Sequence, residues 1–211
     1  SGLTDIDLSS LSISDGFRID GLFDTDTGFS VSSAGDINGD GFDDLLIGAP
    51  YDENLDFDAG RTYVIFGKGA LFADIDLSSL GASEGFAVTG DTADDHLGWD
   101  VAPAGDVNGD GIDDFIIGAP YADTGLFETG NAYVIFGKTS GWIDFDVQVL
   151  DGSQGFEILG TAFEGRAGWS VSGAGDIDGD GFDDLLVGAP LGDDNGADAG
   201  QVYVIHGRGN L

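Results

Sequence analysis

Residues 34–44 read AGDINGDGFDD, and the peptide returns as AGDVNGDGIDD at 104–114 and AGDIDGDGFDD at 174–184. The interval is 70 residues each time. Counted from the first Asp, oxygen-bearing side chains occupy positions 1, 3, 5 and 9 of each loop. In the first copy these are Asp36, Asn38, Asp40 and Asp44, with Gly41 at position 6. Calcium is a hard cation that takes about 6–8 oxygens, and alternate residues of a tight loop can turn oxygens inward. Glycine at position 6 allows the sharp turn, having no Cβ to forbid positive φ. Position 7, Phe42, would offer its backbone carbonyl, which leaves its side chain free to be apolar. The same roles fall on Asp106, Asn108, Asp110, Ile112 and Asp114, and again on Asp176, Asp178, Asp180, Phe182 and Asp184. The pattern predicts three calcium ions per chain, one in each loop.

The start of each loop resembles an EF-hand or dockerin loop. The end differs. Those loops carry an acidic residue at position 12, where this chain has Ile47, Ile117 and Val187. Each lies in an apolar run, LLIGAP, FIIGAP or LLVGAP, so the loop leads into a buried strand. The competing reading of a single copy is an Asp/Gly-rich turn in an acidic protein. Three copies in register favour the metal.

At 211 residues the chain can bury a sizeable core as one domain. Its 41% hydrophobic content separates it from disordered acidic chains. Six Lys and Arg against 40 Asp and Glu give a net charge of −34. Three divalent cations would offset only a small part of that. Such acidity excludes nucleic acid and anionic membrane surfaces as partners, because their charges repel it. It suits salty surroundings that screen the repulsion. The absence of Cys excludes disulfide and thiol chemistry. Cytosolic calcium is too low to fill loops of ordinary affinity, which places the protein outside the cell, secreted or at the cell surface. No apolar run approaches the ~18 residues needed to span a bilayer. The start, SGLTDIDLSS, has neither the basic nor the apolar region of a secretion signal, as expected of a processed product or a piece of something larger.

Other segments keep the same step. GFSV (28–31), GWDV (98–101) and GWSV (168–171) precede the loops, and GAP follows them at 48–50, 118–120 and 188–190. YVIFGK at 63–68 and 133–138 matches YVIHGR at 203–208. GFRIDG (16–21), GFAVTG (85–90) and GFEILG (155–160) form a fourth set. IDLSSL recurs at 6–11 and 75–80 and decays to VQVL at 147–150. Each repeat thus holds four short apolar segments bounded by Gly, Asp or Pro, which is strand chemistry with turn punctuation. Sustained helical periodicity is absent. Four strands per ~60–70 residues is the pattern of propeller blades.

These elements, FG and GAP flanking a D-x-[DN]-x-D-G-x-x-D loop, resemble FG-GAP repeats. Such repeats build the N-terminal β-propeller of integrin alpha subunits and occur in large bacterial surface proteins. The resemblance spans essentially the whole chain. It implies an all-β fold of four-stranded antiparallel blades, with the calcium loop between the inner strands A and B. Strand A then lies near 29–34, B near 45–49, C near 63–66 and D near 86–89. The second blade uses 99–104, 115–119, 133–136 and 156–159; the third uses 169–174, 185–189 and 203–206. The repeats divide at about 1–67, 68–137 and 138–211 of a single domain. The third lacks strand D, which residues 17–20 at the other end would supply. Three blades are too few to close, since propellers have about 4–8. Two chains exchanging end strands would make a six-bladed ring; a larger, truncated propeller is the alternative.

A catalytic constellation does not stand out. GFSVS and GWSVS lack the final Gly of a nucleophile elbow, with Ser32 and Ser172 in its place. His206 replaces Phe66 and Phe136 and reads as a packing variant. Trp99 and Trp169 align with Phe29 and read as core rather than carbohydrate platforms. Trp142 has no equivalent and reads as exposed or as a loop anchor. Arg18, Arg61, Arg166 and Arg208 read as solvated charges or turn partners. The chain is therefore expected to be a non-catalytic, calcium-binding extracellular module for adhesion or recognition of a protein or glycan. The alternatives are a structural or assembly module of a larger secreted protein, or an accessory domain of an extracellular enzyme.

Overall fold

A computed structural model describes residues 6–53, 57–123, 127–193, 196 and 199–209. Of the fourteen strands among the described residues, eleven form three antiparallel sheets of common design. The first joins β2 (Ser30–Gly35), β3 (Asp44–Ala49), β4 (Arg61–Ile65) and β6 (Gly85–Thr89), in that order across the sheet. The second joins β7 (Val101–Gly105), β8 (Asp114–Ala119), β9 (Asn131–Ile135) and β11 (Gly155–Leu159). The third holds β12 (Ser170–Gly175), β13 (Asp184–Ala189) and β14 (Gln201–Ile205), with β14 at its edge. The A, B, C and D strands lie where the repeat placed them, within a residue or two.

The B and C strands of the first two sheets read as continuous apolar runs because both of their faces are covered. Leu46, Val64, Phe86 and Val88 of the first sheet share one core with Val101, Phe115, Ile117 and Tyr133 of the second. The other face of the second sheet, with Ile116 and Val134, packs on Val171, Leu185 and Val187 of the third. The N-terminal residues Phe17, Ile19 and Leu22 cover the outer face of the first sheet, over Ile47, Tyr63 and Ile65. Burial on both faces removes the hydrophobic–polar alternation of a half-exposed strand.

Each repeat also has a fifth element that the strand pattern did not announce. IDLSSL at 75–80 forms β5 (Ile75–Asp76) and a 3₁₀ turn at Leu77–Ser79. Asp76 caps that turn by accepting a hydrogen bond from the Ser78 N–H at 2.9 Å. β10 (Phe145–Asp146) repeats the arrangement before Val147–Val149. These two-residue strands run parallel to the D strand of the preceding repeat: β10 pairs with β6 through Phe145 and Val88. The N-terminal segment contains β1 (Ile19–Asp20), which pairs in the same parallel way with β5. Residues 19–20 therefore have the parallel outer neighbour that the D strand β6 has. Within the chain they do not reach β14.

The structure decides for the loop-anchor reading of Trp142 and differs from the sequence reading of three other side chains. Trp142 is 8% exposed, stacks on Phe86 at 4.4 Å and donates its indole N–H to the Lys138 carbonyl. Arg61 is buried on β4, 3.5 Å from Asp52 and donating to the Tyr63 hydroxyl. The pairing explains how a guanidinium is tolerated there. Trp99 and Trp169 are half-buried in a ladder with Phe29, each step 4.8 Å between ring centroids. No described helix is long and apolar enough to cross a membrane.

Candidate metal loops and the family

Each A–B hairpin carries one loop, and its local bonds explain the sequence pattern. In the first, both Asp36 Oδ1 and Asn38 Oδ1 accept from the Asp40 N–H, at 3.0 and 2.9 Å. Asp36 Oδ2 accepts from the Gly41 N–H at 2.9 Å, and Asp40 Oδ1 from the Phe42 N–H at 3.0 Å. Side-chain oxygens of positions 1, 3 and 5 thus fold over the loop backbone. The second loop repeats this with Asp106, Asn108 and Asp110, and the third with Asp176, Asp178 and Asp180. The position-6 glycines Gly41, Gly111 and Gly181 have φ of 93°, 87° and 95°, as the turn requires. In the third loop the carboxylate oxygens of Asp176, Asp178 and Asp180 lie within 4.8 Å of one another.

Position 9 is the base of the site. Asp44, Asp114 and Asp184 are each fully buried at the start of a B strand. Asp44 accepts from Gly67 N–H at 2.7 Å and Ile37 N–H at 3.2 Å, which ties the loop to strand C. Burial pushes its carboxyl up to about 6 against those two bonds, and Asp40 and Asp36 add to the rise. Burial likewise pushes Asp114 up to about 7. For Asp184 burial also acts upward, but the Ile177 and Gly207 N–H groups and His206 outweigh it and hold it low.

The donor set fits a hard divalent cation. Carboxylate and amide oxygens converge, one carboxylate at the base is already desolvated, and no Lys or Arg pairs with the ligand-type carboxylates among the described residues. The chain's residues hold and orient the oxygens; an ion would supply the charge that lets these acids stand together. His206 departs from the packing role. Its Nδ1 lies 3.2 Å from Asp184 Oδ1 and 3.3 Å from Asp178 Oδ2. The Phe-to-His change was visible in the sequence, but its neighbour across the hairpin was not.

The connections at the other ends of the strands pack in pairs. Residues 91–97 run along 57–60 through Asp94 N–H to Phe57 O (2.8 Å) and Leu97 N–H to Ala59 O (3.0 Å). The ligand atoms of Asp58, Asp94 and His96 come within 4.8 Å there, while His96 Nδ1 is 3.1 Å from the Pro50 carbonyl. At the next junction Glu128 and Arg166 occupy the corresponding places and form an ion pair, with Nε to Oε2 at 3.0 Å. The cluster joins residues of two repeats, and no spacing within one repeat predicts it.

Asp95, in the same connection, is 5% exposed. Burial pushes its carboxyl up to about 7, with Asp91, Asp123, Glu157 and Asp94 adding to the rise. The equivalent positions hold uncharged Thr25 and Gly165. Its folded pKa lies above the ordinary 3.8, so the folded chain holds this proton more tightly than the unfolded one. The associated stability is present near pH 4 and is lost as pH rises through about 7. Asp95→Asn should leave stability nearly unchanged near pH 4 and raise it by about 4 kcal/mol near pH 8. Parallel pH–stability curves for the two proteins would contradict this.

The FG-GAP repeat family matches residues 27–65, 97–135 and 167–205, together more than half of the chain. The protein belongs to that family. Integrin alpha-PS2 of Drosophila melanogaster is 32% identical over 186 residues, 86% of this chain and 12% of its own length. Integrin alpha-5 of Xenopus laevis is 33% identical over 188 residues, 87% of this chain and 16% of the relative. Integrin alpha-V of Gallus gallus is 33% identical over 165 residues, covering 77% and 14%. The chain thus spans a small fraction of the length of these relatives.

Proposed function

We propose that the protein is a calcium-binding, non-catalytic extracellular propeller module for adhesion or recognition. The observation that carries this reading is the loop built three times, with oxygens of positions 1, 3 and 5 folded together above a buried Asp at position 9. Each loop takes one ion, through the fifteen residues of the sequence pattern, so a chain holds three. Likeness to integrin alpha subunits supports the adhesion role and the extracellular setting. The described parts of the variable connections, 57–61 with 91–97 and 127–131 with 161–167, form the surface where a protein or glycan ligand would bind. The domain divides at about 1–67, 68–137 and 138–211, and residues 17–20 complete a third blade across a ring closure. A structural or assembly role is the second reading, favoured by the open third sheet.

Two substitutions in the middle loop test the metal reading. Asp110 is exposed, and among the described residues its side chain bonds within the loop, to the Ile112 N–H and the Asn108 amide. Asp110→Ala should lower stability by about 2–3 kcal/mol in millimolar calcium and by under about 0.5 kcal/mol in chelator. Asp114 also satisfies the Val107 and Gly137 N–H groups at 3.0 and 2.8 Å. Asp114→Ala should cost about 3 kcal/mol even in chelator, because it strands two buried donors, and more than that in calcium, where the ion is lost as well. Denaturant titrations in which Asp110→Ala loses equally in calcium and chelator would exclude the ligand role.

A further inference from the structure

The two ends of the sheet array are halves of one junction. Between the first and second sheets, Asp113 Oδ2 accepts from Asp36 N–H at 2.9 Å, and Lys138 N–H donates to the Ile37 carbonyl at 2.9 Å. Between the second and third sheets, Asp183 and Arg208 make the same two bonds to Asp106 and Val107, at 2.9 Å each. One step further on, Asp176 and Ile177 present the receiving groups at the third sheet. The residues that would meet them, Asp43 and Lys68, sit at the opposite end of the array.

Exposure and space follow the same logic. Ile37 and Val107 are fully buried, whereas Ile177 is 56% exposed; Val64 and Val134 are fully buried, whereas Val204 is 48% exposed. Conversely Val101 and Val171 are buried, but Val31 is 69% exposed. A Cβ added to Gly48 or Gly118 would overlap the carbonyl oxygen of Gly98 or Gly168 in the next sheet. At Gly188 the nearest atom would be Ser170 O, 3.5 Å away in its own hairpin. The strand inventory is divided in the same way. Among the described residues, β1 has the parallel outer neighbour of a D strand but no C-strand partner, while β14 is a C strand with no D-strand partner.

We propose that a second copy of this chain occupies the open face of the third sheet, and that the two copies close a ring of six blades. The first sheet of each copy packs on the third sheet of the other, about a two-fold axis. β1 of one copy pairs with β14 of the other, and Phe29 stacks on Trp169 to continue the ring ladder. The third calcium loop is completed in trans, with Asp43 of the second copy accepting from the Asp176 N–H. Six blades lie inside the range of about 4–8 that propellers use. Pairing also covers an apolar edge strand that would otherwise invite uncontrolled association. The inference rests on the calcium-propeller reading, which supplies the loop to be completed.

Sedimentation velocity at micromolar concentration in calcium and ~0.15 M salt, which limits charge repulsion, tests it. The wild-type chain should sediment as a species of twice 21.6 kDa. Gly188→Ala adds a methyl that the single chain accommodates but that meets the Gly28 carbonyl of the second copy. Val204→Lys puts a charge on a side chain exposed in one copy and buried in the pair. Both variants should keep the wild-type circular dichroism spectrum and sediment as single chains. A monomeric or higher-order wild type, or a dimer that survives both substitutions, would overturn the proposal. Metal analysis of the same fractions separates the two readings. A calcium-loaded monomer removes the junction and keeps the calcium loops; a calcium-free dimer keeps the junction and removes the loops.

Discussion

Moving the protein from millimolar calcium into chelator is expected to lower its melting temperature by on the order of 20 °C. A site at a hundredfold excess of ligand over Kd contributes about 2.7 kcal/mol, so three sites contribute on the order of 8 kcal/mol. That rivals the whole stability of a typical domain, about 5–15 kcal/mol. A domain of this size shifts by roughly 2–4 °C for each kcal/mol. The cause is local. Asp36, Asp40 and Asp44 converge on one loop, and burial has already stripped Asp44 of water. Molar sodium chloride with chelator should restore only part of the loss. Salt screens repulsion among the −34 charges. It cannot bridge the loop oxygens to one another. Equal melting temperatures in high salt with chelator and in calcium would show the ions to be general counterions.

Gly118→Ala should destabilise the protein by more than about 3 kcal/mol, although it adds one methyl group and no charge. Gly118 lies on β8 facing the next sheet, and its Cβ would overlap the Gly168 carbonyl oxygen. Both partners are backbone, so relief requires the second and third sheets to separate. That separation would loosen the shared core of Ile116, Val134, Leu185 and Val187. Gly152→Ala is the matched control: a Cβ there meets no atom within 4 Å, and the change should stay within about 0.5 kcal/mol. Similar urea midpoints for the two variants would mean that the sheets are not packed as described.

The loops were legible in the sequence because their chemistry is local. Positions 1, 3, 5, 6 and 9 lie within nine residues, and the bonds that shape the turn stay inside that span. The B and C strands of the first two sheets were legible because burial on two faces leaves uninterrupted apolar runs, and the third repeat copies their sequence. What escaped depends on partners far along the chain. Ile75 pairs with Ile19, and Phe145 with Val88, in strands too short to leave a periodicity. Trp142 is buried by Phe86, a residue of the previous repeat. Arg61 reads as a surface charge until Asp52 and Tyr63 are placed beside it. The cluster of Asp58, Asp94 and His96 exists only where two sheets meet. His206 follows directly after strand C, and its polar contacts are with Asp178 and Asp184 of the A–B hairpin, far along the chain.

The count of calcium ions bound per chain tests the central claim most directly. Isothermal titration of the chelator-stripped, refolded chain, checked by elemental analysis after dialysis, should return three ions. Magnesium should compete weakly, because it demands compact octahedral geometry that a loop of many flexible oxygens does not enforce. Fewer than two ions per chain, or equal affinity for magnesium, would contradict the assignment of the three loops as calcium sites.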